Sequence, residues 1–258
     1  MRLSNSSRLS LATACIGILL LAATAVVAHA EHDETDAKNA KPAAPTPAPG
    51  SSIFPKAGAP DPRPFTLEDR YFDAATRGDL DMLKTCIDKG VDPRVRDVVG
   101  RSALDLAVRE ARDLEMAEFL QSRGVPADDP DAVGRSPLHE AAGNGDPAIA
   151  SWLLQQGAKV DRKDMQGRTP LHAAVLGGSR EVVVRLLAAG ADVNVRDNFE
   201  DTPLIEACNK GLDEIARLLV DKGADPSLKD QEGRTASERA SESAPYCRGL
   251  AGAAKPAG

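Results

Sequence analysis

Two stretches decide the fold: Gly134-Arg135-Ser136-Pro137-Leu138-His139-Glu140-Ala141-Ala142 and, 33 residues on, Gly167-Arg168-Thr169-Pro170-Leu171-His172-Ala173-Ala174. A third copy, Asp201-Thr202-Pro203-Leu204-Ile205-Glu206-Ala207-Cys208, keeps the pattern apart from its histidine. Each places a Ser or Thr one residue before a Pro. The hydroxyl can cap a helix whose first residue is the proline, where the missing N–H costs nothing. Leu138, Leu171 and Leu204 then face inward, and Ala141, Ala142 and Ala174 are small enough to let neighbouring helices approach.

The copies belong to a longer series. Gly90, Gly124, Gly157, Gly190 and Gly223 are spaced 34, 33, 33 and 33 apart, and Gly100, Gly134, Gly167 and Gly233 follow the same period with Glu200 in the place of the missing glycine. A fixed period near 33 marks a stack of repeated supersecondary units. Each unit also carries a second apolar run at helical spacing: Ile149, Leu153 and Leu154; Val182, Val183, Leu186 and Leu187; Ile215, Leu218, Leu219 and Val220. A glycine ends each run, as a left-handed helix cap requires. The motif resembles the ankyrin repeat, over about Phe65 to Leu250. The resemblance implies an all-α solenoid of stacked helix-turn-helix units with β-hairpin tips.

About five units are expected with a partial C-terminal cap. The first, Arg70 to Asp92, reads Tyr71-Phe72-Asp73-Ala74-Ala75 in place of Pro-Leu-His and suits an N-terminal cap. The second, Asp97 to Ala127, holds one extra residue near Ala111 and Arg112, which predicts a local bulge. The last, Asp230 to Leu250, turns polar at Ser237, Glu238, Arg239 and Ser241, as the end of a solenoid needs.

Ahead of the repeats, Arg2 and Arg8 precede an apolar run and an Ala28-His29-Ala30 site, the pattern of a Sec-type signal peptide cleaved after Ala30. The alternative is an uncleaved inner-membrane anchor, since Leu9 to Ala28 is just long enough to span a bilayer. Residues 31–64 hold eight prolines and read as a disordered tether reaching roughly 100 Å at about 3.1 Å per residue. Residues 251–258 read as a disordered tail. The expected location is periplasmic or secreted, with no stable membrane insertion after cleavage.

The balance of 42% hydrophobic to 28% charged residues is that of a globular chain, and 3% aromatics favours small packed helices over a sheet sandwich. Net charge is −7, or about −9 once Arg2 and Arg8 are removed (−7 − 2), which argues against nucleic acid and anionic lipid. No phosphate-cradling loop or catalytic constellation stands out. Asp97, Asp131, Asp164, Asp197 and Asp230 recur at the start of every tip, so repetition explains them better than acid–base chemistry. The resemblance implies that His139 and His172 bond the preceding Ser or Thr region and pin successive units, which leaves no metal or base role for them. No enzyme activity, cofactor, metal or small-molecule substrate is expected.

Cys86 lies four repeats from the other two cysteines of the mature chain. Cys208 and Cys247 fall in adjoining units and are the pair within the reach of about 7 Å between Cα atoms that a disulfide allows, the alternative being free thiols. Trp152 is expected to pack between repeats rather than to serve as a binding hot spot.

In proteins of this family the tips and the exposed side of the inner helices meet the partner. On this chain that implies Val99, Arg101, Val133, Arg135, Met165, Gln166, Arg168 and Phe199 at the tips, and Leu176, Asn209 and Lys210 on the inner helices. Apolar side chains at solvated tips have no structural need. The expected function is a monomeric, non-catalytic module that binds another protein outside the cytoplasm. The alternatives are an immunity or inhibitor protein against an exported toxin or enzyme, a membrane-anchored envelope scaffold, and a host-directed secreted effector.

Overall fold

The structure, a computed structural model, describes residues 65–251, so the signal, the tether and the tail beyond Ala251 lie outside the described residues. Six units stack in order. The first is α1 (Leu67–Arg77) and α2 (Leu80–Asp88); the second is α3 (Ala103–Leu106), continued by a π turn over Ala107–Ala111, and α4 (Leu114–Ser122). Three regular units follow: α5 (Pro137–Asn144) with α6 (Pro147–Gln155), α7 (Pro170–Leu176) with α8 (Arg180–Ala188), and α9 (Pro203–Asn209) with α10 (Asp213–Asp221). A lone short helix, α11 (Pro245–Arg248), closes the array.

The inner helices begin where the hydroxyl-proline pattern places them, with Ser136, Thr169 and Thr202 in extended backbone and Pro at the first helical position. In the second unit the extra residue is taken up by the π turn, and Arg112 then enters the left-handed region at φ 54°. Gly78, Gly145, Gly178 and Gly211 hold that same helix-ending position in the other units, with φ between 70° and 76°. Arg112 uses its exposed position by clamping Asp146 of the next unit through two hydrogen bonds of 2.6 Å.

The core is a continuous layer between inner and outer helices, with Leu104, Leu138, Leu171 and Leu204 from the inner set and Met116, Leu153, Leu186 and Leu219 from the outer set all buried. Tyr71 anchors the first unit, fully buried, its hydroxyl donating to the Pro93 carbonyl at 2.9 Å. Trp152 is buried within this layer, as expected of a packing residue. Inner helices approach most closely between α5 and α7. A Cβ at Gly177 would overlap the Gly143 carbonyl oxygen, so glycine is required there.

Among the described residues the tips are hairpin turns without extended strands: in each, the aspartate N–H donates to the carbonyl four residues on, and antiparallel bridges join Arg96 to Ser102 and Lys229 to Thr235. The recurring aspartate holds each turn. Asp164 Oδ1 accepts the N–H of Gln166 at 2.8 Å and of Arg168 at 2.9 Å, and Asp97, Asp131, Asp197 and Asp230 repeat this at their own tips. A side chain that satisfies the turn's own donors fixes the turn that closes each hairpin.

The C-terminal cap has turns in place of an inner helix. Cys247 of α11 joins Cys208 of α9 in a disulfide with Cα atoms 5.4 Å apart, and the Ser241 N–H donates to the Cys208 carbonyl at 3.1 Å. Cys86 is a buried free thiol.

Candidate interaction surface

The tips bond to one another through their backbones. The N–H of Ala132 donates to the Val99 carbonyl, Met165 to Val133, Asn198 to Gln166 and Gln231 to Phe199, at 3.3, 3.0, 2.9 and 3.1 Å. Each tip thus uses the N–H one residue after its aspartate and the carbonyl two residues after it. Those two positions contribute backbone to the stack, and Asn198 and Gln231 add side-chain bonds to the Met165 and Asn198 carbonyls, while the apolar side chains there face solvent. They hold several well-exposed large apolar residues: Met165 at 69%, Phe199 at 59%, Val99 and Val133 at about half, and a fully exposed Val98.

The two histidines lock the stack from beneath. The Ser136 N–H donates to His139 Nδ1 at 3.1 Å, so Nδ1 is unprotonated and Nε2–H donates to the Arg168 carbonyl of the next tip at 3.1 Å. His172 repeats the arrangement from Thr169 to the Asp201 carbonyl. Burial lowers both imidazole pKa values, which keeps the rings neutral in this strut. Asp105 stands at the same position in the second unit. Burial pushes its pKa up to about 7, and its Oδ1 has no hydrogen-bond partner.

The four arginines that follow the tip glycines divide in two. Arg101 and Arg234 latch onto their own tip aspartates, Asp97 and Asp230, with Nε to Oδ2 at 2.8 and 3.0 Å. Neither guanidinium of Arg135 or Arg168 makes a hydrogen bond among the described residues. Arg135 is instead ion-paired with Glu140, Nε to Oε1 at 3.1 Å, and Arg168 with its own tip aspartate Asp164, Nε to Oδ2 at 3.4 Å. Both line a cleft of about 280 Å³ between the third and fourth units, together with the acid Asp164, His139, Gly143, Ala173, Leu176 and Gly177. On the tip side the same two arginines line a second cleft of about 250 Å³ with Val133, Met165 and Gln166.

The structure therefore brings Val133, Arg135, Met165, Gln166, Arg168 and the half-buried Leu176 to one place. Val99 and Arg101 sit one unit before it, and Phe199, Asn209 and Lys210 one unit after. Lys210 is partly committed, since its ammonium donates to the Leu176 carbonyl at 2.9 Å. Glu206 belongs to the same surface and was not singled out from sequence. Burial, with the charges of Asp197 and Asp201, pushes its pKa up to about 8, and Oε2 lacks a partner. Its signal was an acid on an inner helix where the fourth unit has Ala173.

Among the described residues there is no group of three His, Cys, Asp or Glu arranged to hold a metal ion, and no helix long and apolar enough to cross a membrane. A profile of three ankyrin repeat copies matches residues 113–197, 138–230 and 182–253, and one of many copies matches 71–121. A protein of Treponema pallidum (strain Nichols) named as ankyrin repeat-containing is 35% identical over 85 residues, which cover 33% of this chain and 28% of that protein. The aligned stretch is thus under a third of the relative's length. Ankyrin repeats are in general protein–protein interaction modules and typically non-catalytic. With period, caps, histidine struts and profile matches in one register, the chain belongs to the ankyrin-repeat family.

Proposed function

We propose that this chain is a non-enzymatic docking protein of the periplasm or cell envelope that binds another protein through its tips and inner-helix face. One observation carries the reading. The tip backbones are hydrogen-bonded to each other, yet Met165 and Phe199 still expose more than half their surface. Apolar side chains that the fold does not use and water does not favour suit a partner's surface. Export is supported by the Arg2, Arg8 and Ala28-His29-Ala30 pattern and by the pairing of Cys208 with Cys247, which an oxidising compartment would preserve.

The docking reading is tested by capture from the envelope fraction with the full chain and with Met165→Asp/Phe199→Asp. Loss of the captured partner, with an unchanged melting temperature, is expected; equal capture by the double variant sinks the proposed surface. The amino-terminal sequence of the mature protein tests export. A start at Glu31 supports a cleaved signal, and a start at Met1 supports the membrane-anchored scaffold instead.

A further inference from the structure

We infer that one repeat position carries proton-operated braces of opposite sense. Proton uptake by Asp105 tightens the junction of the second and third units, and proton uptake by His139 or His172 loosens the two junctions that follow. The inference goes beyond the docking reading and does not rest on it.

The three side chains differ in what is left to their polar atoms. Each is the third residue of an inner helix and accepts the N–H of the residue that caps it, Ser102, Ser136 or Thr169. In His139 that leaves room for one proton. Nδ1 takes the Ser136 N–H and Nε2–H donates to the Arg168 carbonyl of the next tip, so a second proton would set one N–H against another and break the cap. His172 is committed in the same way to Thr169 and to the Asp201 carbonyl.

Asp105 is one proton short instead. Its Oδ2 accepts both the N–H and the hydroxyl of Ser102 at 2.8 Å, while Oδ1 is buried without a partner in a residue only 2% exposed. A charged, unpartnered oxygen is costly there. A proton on Oδ1 removes the charge and turns the acceptor into a donor, as Nε2–H is in the histidines. The inter-tip bond at this junction, from the Ala132 N–H to the Val99 carbonyl, is also the longest of the four, 3.3 Å against 3.0, 2.9 and 3.1 Å.

The surrounding charges agree with this geometry. Burial pushes the Asp105 pKa up to about 7 against the Ser102 bonds, with Asp131 of the next tip adding to the rise and Arg96 opposing it. Burial lowers both histidine pKa values. Asp164 favours the charged ring of His139 and Arg135 and Arg162 oppose it; around His172, Asp197 stands against Lys163 and Arg168. The Asp105 contribution is therefore full below the unfolded value of 3.8 and lost as pH rises to about 7, whereas the histidine contribution is full above 6.5 and lost as pH falls. Between these limits adjoining junctions respond to pH in opposite directions.

The test is residue-resolved hydrogen exchange on the isotope-labelled full chain at about pH 5 and about pH 7.5, corrected for the intrinsic exchange rate at each pH. The reporters are the inter-tip amides of Ala132 and Met165, on either side of the third tip. From the higher pH to the lower, protection at Ala132 should rise at least about tenfold and protection at Met165 should fall at least about threefold. Asp105→Asn, which presents an amide donor where the protonated acid has its O–H, should keep Ala132 protected at both pH values and leave the Met165 response intact. His139→Gln removes the titrating ring and should flatten the Met165 response alone.

Responses of the same sign at the two amides, or no response, overturn the inference, as does an Ala132 response that survives Asp105→Asn or a Met165 response that survives His139→Gln. Where a variant does not fold, the two amides of the native chain still decide, because a global change in stability moves both the same way. The docking reading fails separately, through the Met165 and Phe199 variants.

Discussion

Breaking the Cys208–Cys247 link, by reduction or by Cys208→Ala/Cys247→Ala, is expected to release the C-terminal cap while the array before it stays folded. The two cysteines are 39 residues apart, so in the chain-entropy account the cross-link destabilises the open state by about 4 kcal/mol. The cap has little else of that size. Its buried apolar residues beyond Cys247 are Ala236, Ala244 and Leu250, and burial of the leucine contributes about 2 kcal/mol. The Arg217 guanidinium over the Tyr246 ring, 4.7 Å from its centroid, adds about 0.5–1 kcal/mol. Repeat arrays couple mainly through nearest neighbours, so the loss stays local. Limited trypsin digestion is the assay: the reduced or double-alanine protein should be cut at Arg239 and Arg248 at least tenfold faster than the oxidised one, with cleavage before residue 230 unchanged. A thiol titration in denaturant verifies the starting states. Equal cleavage at Arg239 in both states would refute the reasoning.

Four substitutions test how single positions serve the stack. Glu200 holds φ 61° where other tips have glycine, so Glu200→Gly should raise stability by roughly 0.5–1.5 kcal/mol in a denaturant melt, less what the ion pair with Arg196 contributes. Gly177→Ala should cost about 2–4 kcal/mol because the new methyl meets the Gly143 carbonyl, whereas Gly143→Ala should be neutral or stabilising by up to about 1 kcal/mol; equal effects would show that α5 and α7 are not in close contact. Asp105→His should supply the missing strut and raise stability by about 1–2 kcal/mol near pH 8. Asp105 also predicts a pH effect. Its folded pKa, about 7, exceeds the unfolded value of 3.8, so the folded state binds more protons between them; that contribution is full below about pH 4 and is lost as pH rises towards 7. A pH series of melts on the histidine variant should lack this decline.

Most of the fold was legible because repetition turns one reading into several. The caps at Ser136, Thr169 and Thr202, the bulge beside Ala111 and the polar last unit all follow from residue type and period. The helix-ending series Gly78, Gly145, Gly178 and Gly211 was equally present in the letters and was passed over, since Arg112 interrupts it. The candidate site was legible only by position. Arg101 and Arg135 follow the same Asp-x-x-Gly pattern, yet one latches and the other swings away, because residue 140 is Glu while its counterpart at 106 is Leu. That choice depends on a neighbour in space, which a motif does not contain. The hairpin tips were legible because the aspartate that marks each one also holds its turn.

The same division of labour explains where this chain can vary. In each tip the aspartate, the left-handed residue and the two backbone groups of the inter-tip bond are fixed by the stack. The side chains one and two places after the aspartate vary more freely and read Val98-Val99, Ala132-Val133, Met165-Gln166, Asn198-Phe199 and Gln231-Glu232 along the array, with Asn198 and Gln231 alone bonding back to the preceding tip. Their character drifts from apolar to polar towards the C-terminal end, while the histidine struts lie beneath the two middle junctions only. The best-braced tips are therefore those beside the arginine cleft. A docking surface gains from rigidity at its centre, since each side chain already ordered before binding lowers the entropy lost on contact. The bracing by His139 and His172, the ion-paired Arg135 and Arg168, and the exposed Met165 coincide at that centre, so under the proposed docking role the third and fourth units are where contact would cost least order.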